Sequence, residues 1–102
     1  MLVAFSVAPT TTENDDASLT AAVAAAVRVV EESGLPYELN SMFTLIEGEW
    51  EEVFEVIRRA TDVVVATSPR VSLVVKADIR PGHTDQLTAK VQHVQEYLGH
   101  QR

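Results

Sequence analysis

Apolar residues recur along the chain in two patterns, short strand-like runs and longer stretches at helical spacing. Residues 2–8 read LVAFSVA and stop at Pro9, where the polar run TTTENDDAS begins. Such a run is typical of a strand followed by a loop. From Ser18 to Ser33, apolar residues return every three or four positions. This spacing predicts a helix with Ser18 at its N-cap and Gly34 just beyond its last turn.

The segment YELNSMFTLIE, residues 37–47, is long for one strand and carries Asn40-Ser41 in its middle. We predict two short strands, about 37–41 and 43–47, joined by a turn or bulge near Ser41-Met42. A second helical stripe follows, with charged residues off it, and it predicts an amphipathic helix. Its members are Trp50, Val53, Phe54, Ile57 and Thr61.

Alternation returns in RVSLVVKADI, residues 70–79, which predicts a strand with two different faces. One face carries Val71, Leu73, Val75 and Ala77, and the other carries Ser72, Val74, Lys76 and Asp78. After the turn at Arg80-Pro81-Gly82, helical spacing predicts a third helix that ends at Gly99. Its apolar positions are Leu87, Val91, Val94 and Leu98.

The predicted order is strand, helix, strand, strand, helix, strand, helix. Its first six elements match a ferredoxin-like α+β sandwich, βαββαβ, in which two helices cover one face of a four-stranded antiparallel sheet. With 102 residues we expect one domain, 1–102. The other sheet face has no helix, so it must be covered by a second subunit, by the third helix or by a ligand. This bare face favours a homo-oligomer, either a homodimer or a homotetramer.

Composition narrows the possible partners and the compartment. Fifteen acidic and eight basic residues give a net charge of −7, which disfavours nucleic acid and anionic membranes as partners. The absence of cysteine excludes a thiolate zinc site and fits a reducing compartment. No apolar stretch approaches the roughly 20 residues of a spanning helix, and the start lacks the pattern of a signal peptide. We therefore expect a cytoplasmic protein.

Two glutamates flank Gly48 where the third strand is predicted to turn into a helix. Glu49 suits the first turn of that helix, because an acid there interacts favourably with the helix dipole. Glu47 shares a strand face with Phe43 and Leu45, and a buried carboxylate there needs a donor partner. A ligand role for Glu47 and an exposed acid beside a turn are equally open.

Other polar residues lie on predicted strands. Lys76 and Asp78 share a face, and the ordinary interpretation is a lysine–carboxylate pair within the sheet or at a subunit interface. Ser6 interrupts the first strand, and Thr44 is equally explained as a strand former. Trp50 is most often a core residue, although an indole beside a carboxylate can also stack on a cationic heteroaromatic ring.

Nothing in the sequence supports catalysis or a metal site. His83, His93 and His100 have no second histidine three or four residues away, so one helix face cannot offer two imidazoles. Nucleotide-binding, hydrolase and metalloprotease motifs are absent. An enzyme that uses Glu47 with His83 or Asp78 as acid and base is the weakest alternative, since no pattern brings these residues together. We expect a protein that is not an enzyme and holds no cofactor.

Several segments together resemble a known family: ESGLPYELNSMFTLIEGEWEEVFEVI, RVSLVVKADIR and the closing helix. The chain is similar over nearly its whole length to the small thiamine-binding proteins, long described only as uncharacterised, which resemble the halves of a tandem-repeat hydroxymethylpyrimidine/thiamine-binding protein. The most specific parts are TLIEGE, residues 44–49, and the pattern Lys76, Asp78, Arg80. The loop TTTENDDAS departs from the family, because it is longer and lacks an expected glycine.

The resemblance implies a ferredoxin-like fold with an extra C-terminal helix, assembly as dimers or tetramers, and binding of thiamine or its pyrimidine part without catalysis. It implies a pocket on the sheet near a subunit interface, lined by Ser6, Phe43, Thr44, Glu47, Lys76 and Asp78. Thiamine joins an aminopyrimidine to a cationic thiazolium ring, which carboxylates, hydroxyls and aromatic faces can recognise. Our hypothesis is that Glu47 binds the ligand and Glu49 serves the helix. The alternative is a structural or regulatory homo-oligomer with no small-molecule ligand.

Overall fold

Seven elements form one α+β fold in the predicted order. The computed structural model describes residues 1–10 and 16–99. The elements are β1 (Leu2–Pro9), α1 (Asp16–Ser33), β2 (Tyr37–Leu39), β3 (Thr44–Glu47), α2 (Trp50–Val65), β4 (Val71–Asp78) and α3 (Gln86–Tyr97). The strands form one antiparallel sheet in the order β2-β3-β1-β4. The predicted ferredoxin-like sandwich with a C-terminal helix is therefore confirmed.

The hydrophobic core lies between one face of the sheet and the helices α1 and α2. Successive strand side chains point to opposite faces, and in β1 the buried positions are Val3, Phe5 and Val7. Ile46 of β3 joins them. The helices contribute Ala26, Val30, Val53, Val56, Ile57, Ala60 and Val64. Leu2, Ala4 and Ser6 consequently belong to the opposite face, which we call the open face.

The buried stripe of α2 is rotated from the predicted one. Val56, Ala60 and Val64 are buried, whereas Trp50 at the start of the helix is 52% exposed. The indole stacks on Phe54, with 5.2 Å between the ring centroids. Our interpretation of Trp50 as a core residue is wrong, because this first helical residue pairs with a neighbour one turn on and stays outside the core.

Two segment boundaries also differ from the prediction. Helix α1 begins at Asp16, so Ser18 lies inside it and is not the N-cap. Several cap-forming residues stand in a row here, and helical spacing cannot choose among them. The predicted loop 10–18 falls mainly outside the described residues. At the other end of α1, Gly34 has a φ of 80°, the left-handed conformation predicted for a glycine that follows a helix.

The hairpin between β2 and β3 is closed by Asn40. Its Oδ1 accepts hydrogen bonds from the backbone N–H of Met42 at 2.9 Å and of Phe43 at 2.8 Å. Its own N–H donates to the Phe43 carbonyl at 3.0 Å. This side-chain-to-backbone turn is a known property of asparagine. It shortens both strands relative to the prediction and places Phe43 in the loop.

Glu49 lies immediately before α2 and has the extended backbone of an N-cap residue, with φ −85° and ψ 165°. Its backbone N–H donates to the Glu52 carboxylate at 3.0 Å, and its carbonyl accepts the first helical hydrogen bond from Val53 at 2.9 Å. Between the two glutamates, a Cβ on Gly48 would lie 3.1 Å from Glu52 and 3.2 Å from Val53. The chain can turn this closely into the helix because residue 48 has no side chain.

Glu47 holds the start of α3 against the sheet. Its side chain is only 7% exposed, and its carboxylate accepts the backbone N–H of Gln86 at 2.9 Å and of Leu87 at 3.0 Å. Asp85, the residue before the helix, makes no capping hydrogen bond through its side chain. The first N–H groups of a helix have no partner within the helix and favour a negative charge. Glu47 thus acts as a cap supplied by β3.

A second contact joins α3 to the sheet, since the Lys90 ammonium donates to the Asp78 carboxylate. Glu47 and Asp78 both lie opposite Leu2, on the strands that flank β1, so the two contacts meet at one end of the open face. Beyond this end, α3 has no buried residue. Val91, Val94 and Leu98 are each more than half exposed, so α3 does not cover the open face.

Replacement of Glu47 by glutamine tests the attachment of α3. Glutamine can accept only one of the two N–H groups and carries no charge, so we expect a loss of about 1–2 kcal/mol of stability. Hydrogen exchange at the amides of Gln86 and Leu87 should accelerate. Glu38→Gln is the matched control, because Glu38 is exposed opposite Leu45. Equal exchange in the two variants would contradict the capping role of Glu47.

The Lys90 ammonium lowers the pKa of Asp78, mainly through its hydrogen bond and secondly through its charge. Because the folded-state pKa is depressed, this contact is fully present above the usual aspartate value of about 3.9 and is lost as pH falls through the lowered value. Carboxyl-detected NMR titration should therefore give Asp78 a midpoint below about 3.9 that rises in Lys90→Met. In Lys76→Met the rise should be smaller, since Lys76 acts only through its charge. An unchanged midpoint in Lys90→Met would refute the pair.

Candidate functional site

A cavity of about 220 Å³ lies where the β2–β3 hairpin leaves the sheet beside α1. Its wall combines three parts of the fold: the second half of β1, the hairpin loop and the first half of α1. The lining residues are Phe5, Ser6, Val7, Ala8, Leu19, Val23, Ala26, Val27, Leu39, Asn40, Ser41, Met42, Phe43 and Thr44. None of these residues is charged.

The cavity exists because β3 is shorter than β1. The β1–β3 pairing ends at Phe5 opposite Thr44, whereas β1 continues to pair with β4 as far as Pro9. Residues 6–8 therefore have a strand on one side and the hairpin loop on the other. No backbone hydrogen bond joins residues 6–8 to the loop in the described chain. This edge of β1 offers free backbone donors and acceptors to a ligand.

Thr44 supplies a free hydroxyl at the inner end of the cavity. The residue is 7% exposed and lies on the helix-facing side of β3, opposite the buried Phe5. Its hydroxyl makes no hydrogen bond with any other described residue, although it lines the cavity. A hydroxyl can donate one hydrogen bond and accept two, so an unpartnered one in an apolar wall favours a polar atom of a ligand.

The wall as a whole suits a small uncharged ring. Apolar side chains from α1 and β1 form most of the surface, and the polar groups are the Thr44 hydroxyl, the edge of β1 and the loop residues. Phe43, partly buried, contributes an aromatic side chain. Apolar walls with a few fixed polar groups are the usual construction of small-molecule sites.

Three of the six residues predicted to bind ligand lie together at this cavity: Ser6, Phe43 and Thr44. The other three, Glu47, Lys76 and Asp78, do not line it. Side chains alternate along β3, so Thr44 and Glu47 point to opposite faces of the sheet. A ligand in this cavity therefore cannot contact both side chains directly.

Glu47, Lys76 and Asp78 lie towards the other end of the sheet. Glu47 and Asp78 contact α3, and Lys76 is exposed beside Ala4 on the open face. The predicted pairing of Lys76 with a carboxylate is not formed among the described residues, where Asp78 pairs with Lys90 instead. A direct role for these three residues in ligand binding stays a prediction.

The sequence analysis did not identify the α1 wall of the cavity. Leu19, Val23 and Val27 follow the helical stripe of a core-facing helix, and only their exposure separates them from the buried Ala26 and Val30. Leu39 and Met42 of the hairpin were equally silent. Exposed leucine and methionine beside a turn are the one signal that could have indicated an apolar opening here.

No described group resembles an acid–base pair or a metal site. His83 lies with Nδ1 3.3 Å from the Pro81 carbonyl oxygen and makes no contact with Glu47 or Asp78. Residues 1–10 and 16–99 contain no cluster of three metal-ligating side chains, and His100 falls outside them. Among the described helices, none has the length and apolarity required to cross a membrane.

Comparison with solved structures identifies the same architecture elsewhere. A Bacillus cereus domain of unknown function has a TM-score of 0.79 and 29% identity, and the match covers 94% of this chain and 90% of that domain. A Thermotoga maritima protein, assigned provisionally to thiamine biosynthesis or salvage, has a TM-score of 0.73 and 22% identity, with 88% and 96% covered.

Sequence comparison identifies relatives of the same length. A UPF0045 protein from Mycobacterium bovis is 48% identical over 99 residues, which are 96% of this chain and 94% of that protein. A UPF0045 protein from Methanothermobacter thermautotrophicus is 37% identical over 83 residues, with 79% and 84% covered. The family model described as thiamine-binding protein matches residues 3–95. The chain therefore belongs to the thiamine-binding protein family.

Proposed function

We propose that this protein binds thiamine or its hydroxymethylpyrimidine part, without catalysis, in the cavity beside the β2–β3 hairpin. The observation that carries the proposal is the unpartnered Thr44 hydroxyl, 93% buried in a wall that has no charged residue. Family membership supports the ligand class. The cavity supports the pyrimidine end of the ligand, because that ring is uncharged, planar and bordered by hydrogen-bonding atoms.

Each part of the pyrimidine ring has a counterpart in the wall. The Thr44 hydroxyl can donate to a ring nitrogen, and the free edge of β1 at Ser6–Ala8 can exchange hydrogen bonds with the amino group and a second nitrogen. The ring faces fit between Phe43 and the α1 side chains. In this arrangement Ser6, Phe43 and Thr44 contact the ligand, whereas Glu47 and Asp78 contribute by fixing α3.

Isothermal titration calorimetry with thiamine and hydroxymethylpyrimidine tests this assignment. Thr44→Val keeps the shape of the side chain and removes the hydroxyl, so we expect both affinities to fall about tenfold, which corresponds to one hydrogen bond of about 1.4 kcal/mol.

Thr61→Val is the matched control, because the Thr61 hydroxyl donates to the Ile57 carbonyl at 2.7 Å within α2 and does not line the cavity. This variant should bind both compounds normally. If the wild-type protein binds neither compound, the proposed function is wrong. If Thr44→Val binds both as tightly as the wild-type protein does, the cavity is not the site.

We further propose that the protein is a homo-oligomer in which α3 packs on a second subunit. The apolar positions of α3 lie outside the core, with Val91 at 55% and Val94 at 59% exposure, and the open face of the sheet is also without a cover. Contiguous exposed apolar surface of this kind is typical of protein interfaces. A homo-oligomer without a ligand remains the second candidate, since the same surface supports it.

Light scattering tests the oligomer independently of ligand. The wild-type chain should exceed the mass of one 11.2 kDa subunit, and Val94→Glu should shift the population towards the monomer, because a charge in an apolar interface is costly. Gln92→Glu adds the same charge on the same helix away from the apolar stripe and should leave the mass unchanged. A monomeric wild-type protein would rule out the oligomer. An oligomer with flat titrations would favour the second candidate.

A further inference from the structure

The hairpin cavity continues into an apolar groove along α1. The groove has a volume of about 480 Å³ and shares with the cavity the residues Leu19, Val23, Val27 and Leu39. It runs between α1 and the edge strand β2, and its remaining lining residues are Thr20, Ala24, Arg28 and Glu31. Cavity and groove therefore form one continuous surface, with charged residues only in the groove.

The volumes decide how a ligand with two rings can occupy this surface. Sites that enclose a whole ligand usually have about 300–1,000 Å³, and the cavity has about 220 Å³. The cavity can thus enclose one ring, and the remainder of a larger ligand must extend into the groove. Val27, which lines both, is four residues from Glu31, a separation of about 6 Å along the helix axis. This is a short step from one ring to a neighbouring one.

The far end of the groove is electrostatically negative. Glu31 and Glu32 lie in the last turn of α1, where the helix dipole is also negative and no basic residue compensates. The one neighbour that contacts the Glu31 carboxylate among the described side chains is the Tyr37 hydroxyl, at 3.4 Å. Arg28 also lines the groove, but it forms no ion pair with a described residue.

We propose that the site has two parts: the cavity holds the uncharged ring, and Glu31 in the groove is the counter-ion of a cationic ring attached to it. This inference rests on the proposed function and makes Glu31 the residue that distinguishes thiamine from its free pyrimidine part. Phosphorylated forms are disfavoured, because their phosphates would extend towards Glu31 and Glu32 at the negative end of α1.

Calorimetry with the full chain and two ligands tests the assignment of Glu31. Glu31→Gln keeps the size of the side chain and removes its charge. Thiamine should bind about two- to fivefold more weakly, the range expected for an exposed ion pair. Hydroxymethylpyrimidine, which lacks the cation, should bind as before. Added salt should weaken thiamine binding to the wild-type protein and have less effect on the variant.

Two further variants sharpen the result. Glu32→Gln removes the same charge from the same helical turn, but Glu32 does not line the groove, so both affinities should be unchanged. Arg28→Gln removes a cation from the groove and should strengthen thiamine binding slightly. The effects of Glu31→Gln and Arg28→Gln thus have opposite signs, which a general loss of stability cannot produce.

The outcomes separate this inference from the proposed function. If hydroxymethylpyrimidine and thiamine both bind, but Glu31→Gln weakens them equally or neither, the two-part site is wrong and the cavity assignment stands. An equal loss in Glu31→Gln and Glu32→Gln would also overturn it, since only the overall charge would then matter. If the wild-type protein binds neither compound, the proposed function fails and this inference fails with it.

Discussion

Strand β1 is paired with β4 along its whole length but with β3 only as far as Phe5. The paired half builds the core, because alternation sends Val3 and Phe5 towards the helices, and it places Glu47 and Asp78 on either side of Leu2. The half without β3 opens the cavity and frees backbone groups at its wall. One register thus determines both where α3 attaches and where a small ring can enter.

The two ends of the sheet have opposite chemical character as a consequence. At the α3 end, a buried carboxylate and an ion pair satisfy a helix start, so the charges are already matched within the chain. At the hairpin end, a buried hydroxyl and a strand edge have no partner in the described chain, and no charge is present. Unmatched polar groups in an apolar wall are what a ligand can complete, whereas matched ones chiefly stabilise the fold.

Much of the fold could be read from the sequence, because its determinants are local and periodic. The alternation in β1 and β4, the glycine after α1 and the attraction of Glu55 to Arg58 and Arg59 are all present as predicted. The errors occur where local signals compete. Several cap-forming residues precede α1, and the Asn40 side chain takes the N–H that would have placed Phe43 in β3.

The candidate site could be read only in part. Ser6, Phe43 and Thr44 came from their motif and strand positions, and they lie at one cavity. The contact of Glu47 with Gln86 and Leu87 spans 39 and 40 residues, and neither periodicity nor motif reports a pairing at that distance. The α1 wall was missed for another reason: helical spacing identifies the apolar side of a helix but not which of its residues border empty space.

The short strand β3 carries Thr44 at its first position and Glu47 at its last, about 10 Å away in extended chain. One side chain faces the cavity, and the other holds the helix that carries exposed apolar residues. Because four residues paired on both edges move together, a ligand at one end and a subunit at the other would act on the same rigid element. Thermodynamic reciprocity then requires that any effect of assembly on ligand affinity equal the effect of ligand on assembly.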